Sequence, residues 1–144
     1  MLPIFLIISL CSMQVFAKFS CDFDNFHGVP AQPEDTIPYK LSASSYEYGP
    51  GTTTTISISG DEDAIRGFYV RAFDEQTNDP IGSWQQGLQG NPMQQCNAIM
   101  QADREDKKSV ELKWNSPIEG NGKVKFRVMV MKDYSTYWWK NLKA

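Results

Sequence analysis

Few side chains in this chain could carry chemistry. His27 is the single histidine, set in a stretch that also holds Pro30, Pro33 and Pro38. A serine or cysteine nucleophile needs a base within hydrogen-bond reach and a sharp turn to expose it, and no nucleophile-elbow sequence occurs anywhere. Hydrolytic catalysis is therefore not expected. Zinc needs three or four protein ligands, which one histidine and a pair of bonded cysteines cannot furnish. Asp22, Asp24 and Asn25 approach a calcium loop, but the place that requires glycine holds His27 and the place of the bidentate glutamate holds Pro33. Asp61, Glu62 and Asp63 read as a solvated turn. Asn115 is followed by Ser116 and then Pro117, so no glycosylation sequon forms there or elsewhere. The expectation is a protein with no metal, no cofactor and no enzymatic activity.

Binding chemistry is better represented. Lys123, Lys125 and Arg127 recur at every second position, which lines them along one strand face able to hold an anionic ligand. A solvated face with lysines that discourage aggregation is the plainer alternative. Shortly after come Tyr134, Tyr137, Trp138 and Trp139. Neighbours on a strand point to opposite faces, so the two tryptophans cannot share one core. If parity carries on from Val130, Trp138 faces in and Trp139 out; a bulge around Asp133 would exchange them. An exposed Trp139, with Tyr137 and Lys140 beside the basic row, makes a platform for sugar rings or acyl chains with phosphate held nearby. Aromatics plugging the open end of a sandwich are the alternative. Lys123, Lys125, Arg127, Tyr137, Trp139 and Lys140 are thus the candidate ligand-binding residues.

The elements that must position them follow from periodicity. Val124, Phe126, Val128 and Val130 alternate with Lys123, Lys125, Arg127 and Met129, a strand with one buried and one wet face. Val110, Leu112 and Trp114 alternate likewise with Glu111 and Lys113, and the turn formers Glu119 to Gly122 lie between. Together they read as a β-hairpin. A two-residue turn at Asn121 and Gly122 would set one strand's apolar face against the other's charged face, so the reading demands an odd-length loop or a bulge. Upstream, Tyr39 to Ala43 and Thr52 to Ser59 form strands around the turn at Gly49 to Gly51. Ile65 to Phe73 is apolar on both faces and should be central. The glutamine- and glycine-rich run from Gln85 to Gln95 reads as loop, Cys96 to Met100 as a short strand, and Ala102 to Lys108 as a charged connection. No helix-period run of useful length occurs. About seven to eight short strands make an all-β, immunoglobulin-like antiparallel β-sandwich the expected single-domain architecture, with a closed barrel as the alternative.

Met1 to Ala17 has the apolar core and small closing residues of a secretory signal peptide, with cleavage expected after Ala17. Cys11 would leave with it. Cys21 and Cys96 then remain in an oxidising compartment, where a disulfide is expected and two free thiols are the alternative. Closing so long a loop is worth about 4–5 kcal/mol in the chain-entropy account. The net charge of −3 conceals an asymmetry: residues 18–100 carry 4 basic against 11 acidic side chains, and residues 101–144 carry 10 against 6. An acidic whole argues against a membrane-lytic cation, while the basic half can still hold an anion. Neither nucleic acid nor a membrane anchor is expected as a partner.

Beyond class, His27-Gly28-Val29, Pro38-Tyr39-Lys40-Leu41 and Ile65 to Ala72 resemble the start of a reeler (reelin amino-terminal) domain. Cys96-Asn97-Ala98, Val110 to Trp114 with Pro117, Gly122 to Val130 and Tyr134 to Trp138 continue in that family's order. The resemblance covers residues 18–144, and the single-domain layout is similar to that of secreted insect defence proteins of the noduler type. It implies an immunoglobulin-like sandwich secreted into haemolymph. It also implies an innate-immunity role through binding a microbial cell-surface glycolipid or polysaccharide such as lipopolysaccharide, lipoteichoic acid or β-glucan, with antimicrobial or nodulation-promoting activity. An extracellular structural or adhesive module that binds other proteins is the alternative. Met100 and Gln101 stand where such proteins often carry Thr-His, a departure from any ligand contact made by that histidine.

Overall fold

A computed structural model describes residues 21–22 and 25–144. The expected signal peptide lies outside them. The strands, in order, are β1 (Asn25–Phe26), β2 (Val29–Pro30), β3 (Tyr39–Ala43), β4 (Glu47–Tyr48), β5 (Thr53–Gly60) and β6 (Gly67–Asp74). They continue with β7 (Ser83–Trp84), β8 (Gly90–Met93), β9 (Ala98–Gln101), β10 (Ser109–Asn115), β11 (Gly122–Asp133) and β12 (Thr136–Leu142). Single 3-10 turns occupy Glu34–Thr36 and Gln94–Cys96. One sheet runs β3-β5-β10-β7 and the other β12-β11-β6-β9-β8, with β4 pairing the start of β11. All named pairings are antiparallel, so the expected sandwich is what forms. No helix among the described residues is long and apolar enough to cross a membrane.

Alternation explains the core. Ile56, Ile58, Val110, Leu112 and Trp114 from the first sheet meet Phe68, Val70, Val124, Phe126, Val128 and Val130 from the second, all buried. Rings interlock edge to face: Trp114 lies 5.6 Å from Phe126 and Trp84 6.0 Å from the same ring. Trp114 keeps its indole N–H satisfied by donating to Ile81 O at 3.1 Å, as a buried tryptophan must. β6 is central as its double-sided apolarity requires, flanked by β11 and β9.

Three expectations fail. The two alternating runs at residues 110–130 are not a hairpin: β10 pairs β5 and β7, whereas β11 pairs β6 and β12. The parity clash that seemed to demand a bulge has a simpler resolution. The strands belong to opposite sheets, and each points its even-numbered residues at the other across the core. The true hairpin joins β11 to β12 through Tyr134 and Ser135, with Asp133 accepting from Ser135 N at 3.0 Å. Second, the supposed loop at Gln85 to Gln95 contains the edge strand β8, whose Pro92 is tolerated because it sits opposite Ile99 with no further strand beyond. Glycine at position 90 lets the strand lie against Ile99, since a Cβ there would come within 2.6 Å of its Cδ1.

Third, Met129 is not wet. It and Met131 are buried in a second apolar cluster, with Tyr69, Cys96, Ala98 and Tyr137, on the outward face of the second sheet. The amino-terminal segment covers it. Cys21 is bonded to Cys96 with Cα atoms 5.4 Å apart. Tyr69 donates its hydroxyl to Cys21 O at 2.7 Å, Gln32 N donates to Tyr137 O at 2.8 Å, and Tyr137 donates its hydroxyl to Val29 O.

Candidate functional site

The outward face of β11 is divided by that cover. Beyond Met129 the strand continues with Arg127 and Lys125, and here the sheet surface opens. Arg127 lies directly opposite Arg71 of β6 in the strand register. Two guanidinium groups side by side repel, and like charges opposite one another weaken a sheet. Asp22 relieves the repulsion: its Oδ1 is 3.0 Å from Arg71 Nη1 and 3.7 Å from Arg127 Nη1. The disulfide at the preceding residue fixes the carboxylate there.

Each guanidinium is also stacked. Arg71 lies over the Phe73 ring at 4.8 Å and donates from Nε to Cys96 O at 2.9 Å; Arg127 lies over Trp139 at 4.4 Å. Such contacts contribute about 0.5–2 kcal/mol each, depending on desolvation. The burial differs, with 7% of the Arg71 side chain exposed against 38% of Arg127. Lys125, paired with Phe73, and Asn141, paired with Arg127, border a shallow cavity of about 200 Å³ that Asp22 and Arg127 also line. Among the described residues, Arg71 and Arg127 share the half-exposed Asp22 carboxylate and Lys125 borders the same cavity, a basic and partly aromatic surface.

The sequence-derived residues fare unequally. Lys125, Arg127 and Trp139 come together. Trp139 does face outward, partnered with Met129 while Trp138 partners Val130. A bulge is present between Met131 and Asp133. Its effect is opposite to the one expected: the two-residue turn alone would exchange the tryptophans, and the extra residue restores them. Trp139 is only half-buried, with Arg127 on one face and Tyr69 edge-on at 6.2 Å, so it braces the arginine more than it offers an open stacking surface.

Lys123 continues the row at its exposed end but stands opposite Glu47 and borders a cavity lined by Asp74 and Glu75, an acidic setting. Tyr137 is fully buried and holds down Val29, which removes it from any platform. Lys140 partners Val128 and shares a face with Trp138 and Leu142, so it lies on the other side of the sheet from the basic row. Sequence reasoning missed Arg71 and Asp22. An arginine inside the otherwise apolar run Phe68 to Phe73 was a signal that a carboxylate must reach it.

At the mouth of the same sheet Tyr48 donates to Asp74 Oδ2 at 2.6 Å. That bond, with burial, pushes the phenol up to about 12, and together with N–H donors from Thr77 and Gln76 it holds the Asp74 carboxyl below its ordinary range. Burial, and then the nearby Asp63, pushes Tyr39 up to about 12 as well. Among the described residues no group of three or more histidine, cysteine, aspartate or glutamate side chains could hold a metal ion.

A disulfide-tied double sheet with a charged, aromatic outer face defines the class: an all-β, immunoglobulin-like sandwich domain. The family follows from comparison with known proteins. A sequence profile of the Reeler domain matches residues 19–143, and the chain belongs to that family. It is similar to "Putative defense protein 1" of Antheraea mylitta, 28% identical over 140 residues, covering 89% of this chain and 82% of the relative. "Putative defense protein 2" of the same moth is 30% identical, covering 85% and 82%. "Putative defense protein" of Bombyx mori is 27% identical, covering 78% and 70%. In fold it is similar to the human F-spondin reeler domain, with a TM-score of 0.57 at 20% identity, covering 74% of this chain and 92% of that structure.

Proposed function

We propose that this protein is a secreted defence protein that binds anionic components of microbial surfaces through the outward face of its second sheet. The observation that carries the reading is the Arg71–Arg127 pair, stacked on Phe73 and Trp139 and bridged by Asp22, with Lys125 beside it. Guanidinium groups held on rings are pre-organised donors for phosphate or carboxylate oxygens. That chemistry favours lipopolysaccharide and lipoteichoic acid over neutral β-glucan at this face. The defence names of the moth relatives support the biological setting, and antimicrobial or nodulation-promoting activity would follow from such binding.

The test is a pull-down of the recombinant mature chain on lipopolysaccharide, lipoteichoic acid and β-glucan, compared with Lys125→Glu and Trp139→Ala. Binding to the two anionic probes that falls with added salt and drops about tenfold in Lys125→Glu is the expected result, because a charge reversal beside an exposed anion contact acts through screened Coulomb energy. Binding to none of the probes, with a stable oligomer on size exclusion, overturns the reading in favour of an adhesive module.

A further inference from the structure

The sandwich has a second concave surface, remote in chemistry from the basic face. Both sheets end on the same side, where edge strands β7 and β8 border a cleft of about 770 Å³. Its floor is laced together by side chains. Trp84 donates its indole N–H to Asn97 O at 3.0 Å, and Asn97 donates its amide N–H to Gly82 O at 2.8 Å. Asn97 holds left-handed backbone, φ 50°, a conformation asparagine tolerates better than most residues. The floor is thereby rigid and spans both sheets.

The walls are polar and carry no charge: none of the lining residues is ionisable. Ser83, Gln94 and Gln95 are exposed there, and their side chains form no hydrogen bond among the described residues. Gln86 is held in place by its amide, which donates to Asn91 Oδ1 at 2.7 Å. Pro92 and Met93 add apolar patches beside Trp84.

We infer that this cleft is a binding site for a short uncharged oligosaccharide. An anion or cation entering it would lose water with no counter-charge in return. A hydroxyl both donates and accepts, and so does each carboxamide, which makes amide walls and vicinal diols complementary. The C–H faces of a sugar ring find Pro92, Met93 and the indole edge. The volume lies within the range of roughly 300–1,000 Å³ common to small-molecule sites. The inference does not depend on the anionic site, and the two separate by salt: screening weakens ion contacts and leaves neutral hydrogen bonds alone.

The experiment titrates the isotope-labelled mature chain with maltohexaose and chitohexaose, following the side-chain amides of Gln94, Gln95 and Asn97 and the Trp84 indole N–H by nuclear magnetic resonance. Saturable shifts of these signals at millimolar sugar, unchanged between low and high salt, are expected with at least one hexaose. The double variant Gln94→Ala/Gln95→Ala should bind about tenfold more weakly, the loss of two neutral hydrogen bonds, while its melting temperature stays put because both side chains are exposed. Lys125→Glu should bind the sugar as the parent does and lose only the anionic probes. No saturable shift with either sugar, shifts centred on Arg127 and Trp139, or undiminished binding by the double variant would each overturn the assignment.

Discussion

The two faces of β11 obey different rules. Inward, Val124, Phe126, Val128 and Val130 are all fully buried, one uniform row against the opposite sheet. Outward, the row grades from exposed Lys123 through half-buried Arg127 to buried Met129 and Met131. The inward face is determined by the strand's own alternation and the neighbours that alternation selects. The outward face is determined by a distant segment, tied across it by Cys21, Ala31 and Val29. Where that cover stops, the basic surface begins.

The largest effect should come from removing the cover. Cys21→Ala/Cys96→Ala is expected to lower stability by about 4–5 kcal/mol, the loop-closure value, measured by chemical denaturation. It should also raise dye binding as Met129 and Met131 are uncovered. Loss of stability without new apolar exposure would mean that the cover holds itself without the disulfide. On the inward face, Phe126→Ala should cost about 3–5 kcal/mol, since Trp84 and Trp114 both rest on that ring and neither can follow it into the gap.

Asp22→Asn sits at the boundary between the two regimes. It should cost about 1–2 kcal/mol, because a charge-assisted hydrogen bond to the buried Arg71 is weakened. Binding to lipopolysaccharide should nonetheless rise, as both arginines lose their internal anion. A fall in both would assign Asp22 to architecture alone.

The smallest effects concern pH. Asp74 is depressed in the folded state, so its contribution is present above the ordinary carboxyl range and lost as pH falls through the depressed value. Asp74→Asn should flatten that acid limb in a melting-temperature series. Tyr39 and Tyr48 are raised, so their stabilisation is complete below about 10, the ordinary phenol value, and lost as pH climbs toward about 12. Phenolate absorbance should show three tyrosines ionising late, because burial raises Tyr69 as well, and two in Tyr48→Phe.

How much of this could be read from the chain depends on distance. The core residues of β5, β6, β10 and β11 were legible because alternation is local, and the disulfide because only two cysteines remained to pair. The β10–β11 connection was misread because proximity in sequence favoured a hairpin, although the parity of Trp114 against Val124 already spoke for opposite sheets. Met129, Tyr137 and Lys140 were misplaced because what covers a strand's second face, and what a bulge does to register, are not written in the strand. β8 was hidden by glutamines and Pro92, which suit an edge and resemble a loop. Of the site, Lys125, Arg127 and Trp139 were visible; Arg71 and Asp22 required the tertiary contact that joins them.

That β10 and β11 part company has a kinetic consequence. Ile58 waits for Val110 and Val70 for Val128, so neither sheet can close until most of the polypeptide exists. A topology dominated by such remote pairings folds on the slow side of the known range, about milliseconds to seconds. During that interval the alternating strands stand unpaired, and charges such as the lysines along β11 discourage premature association.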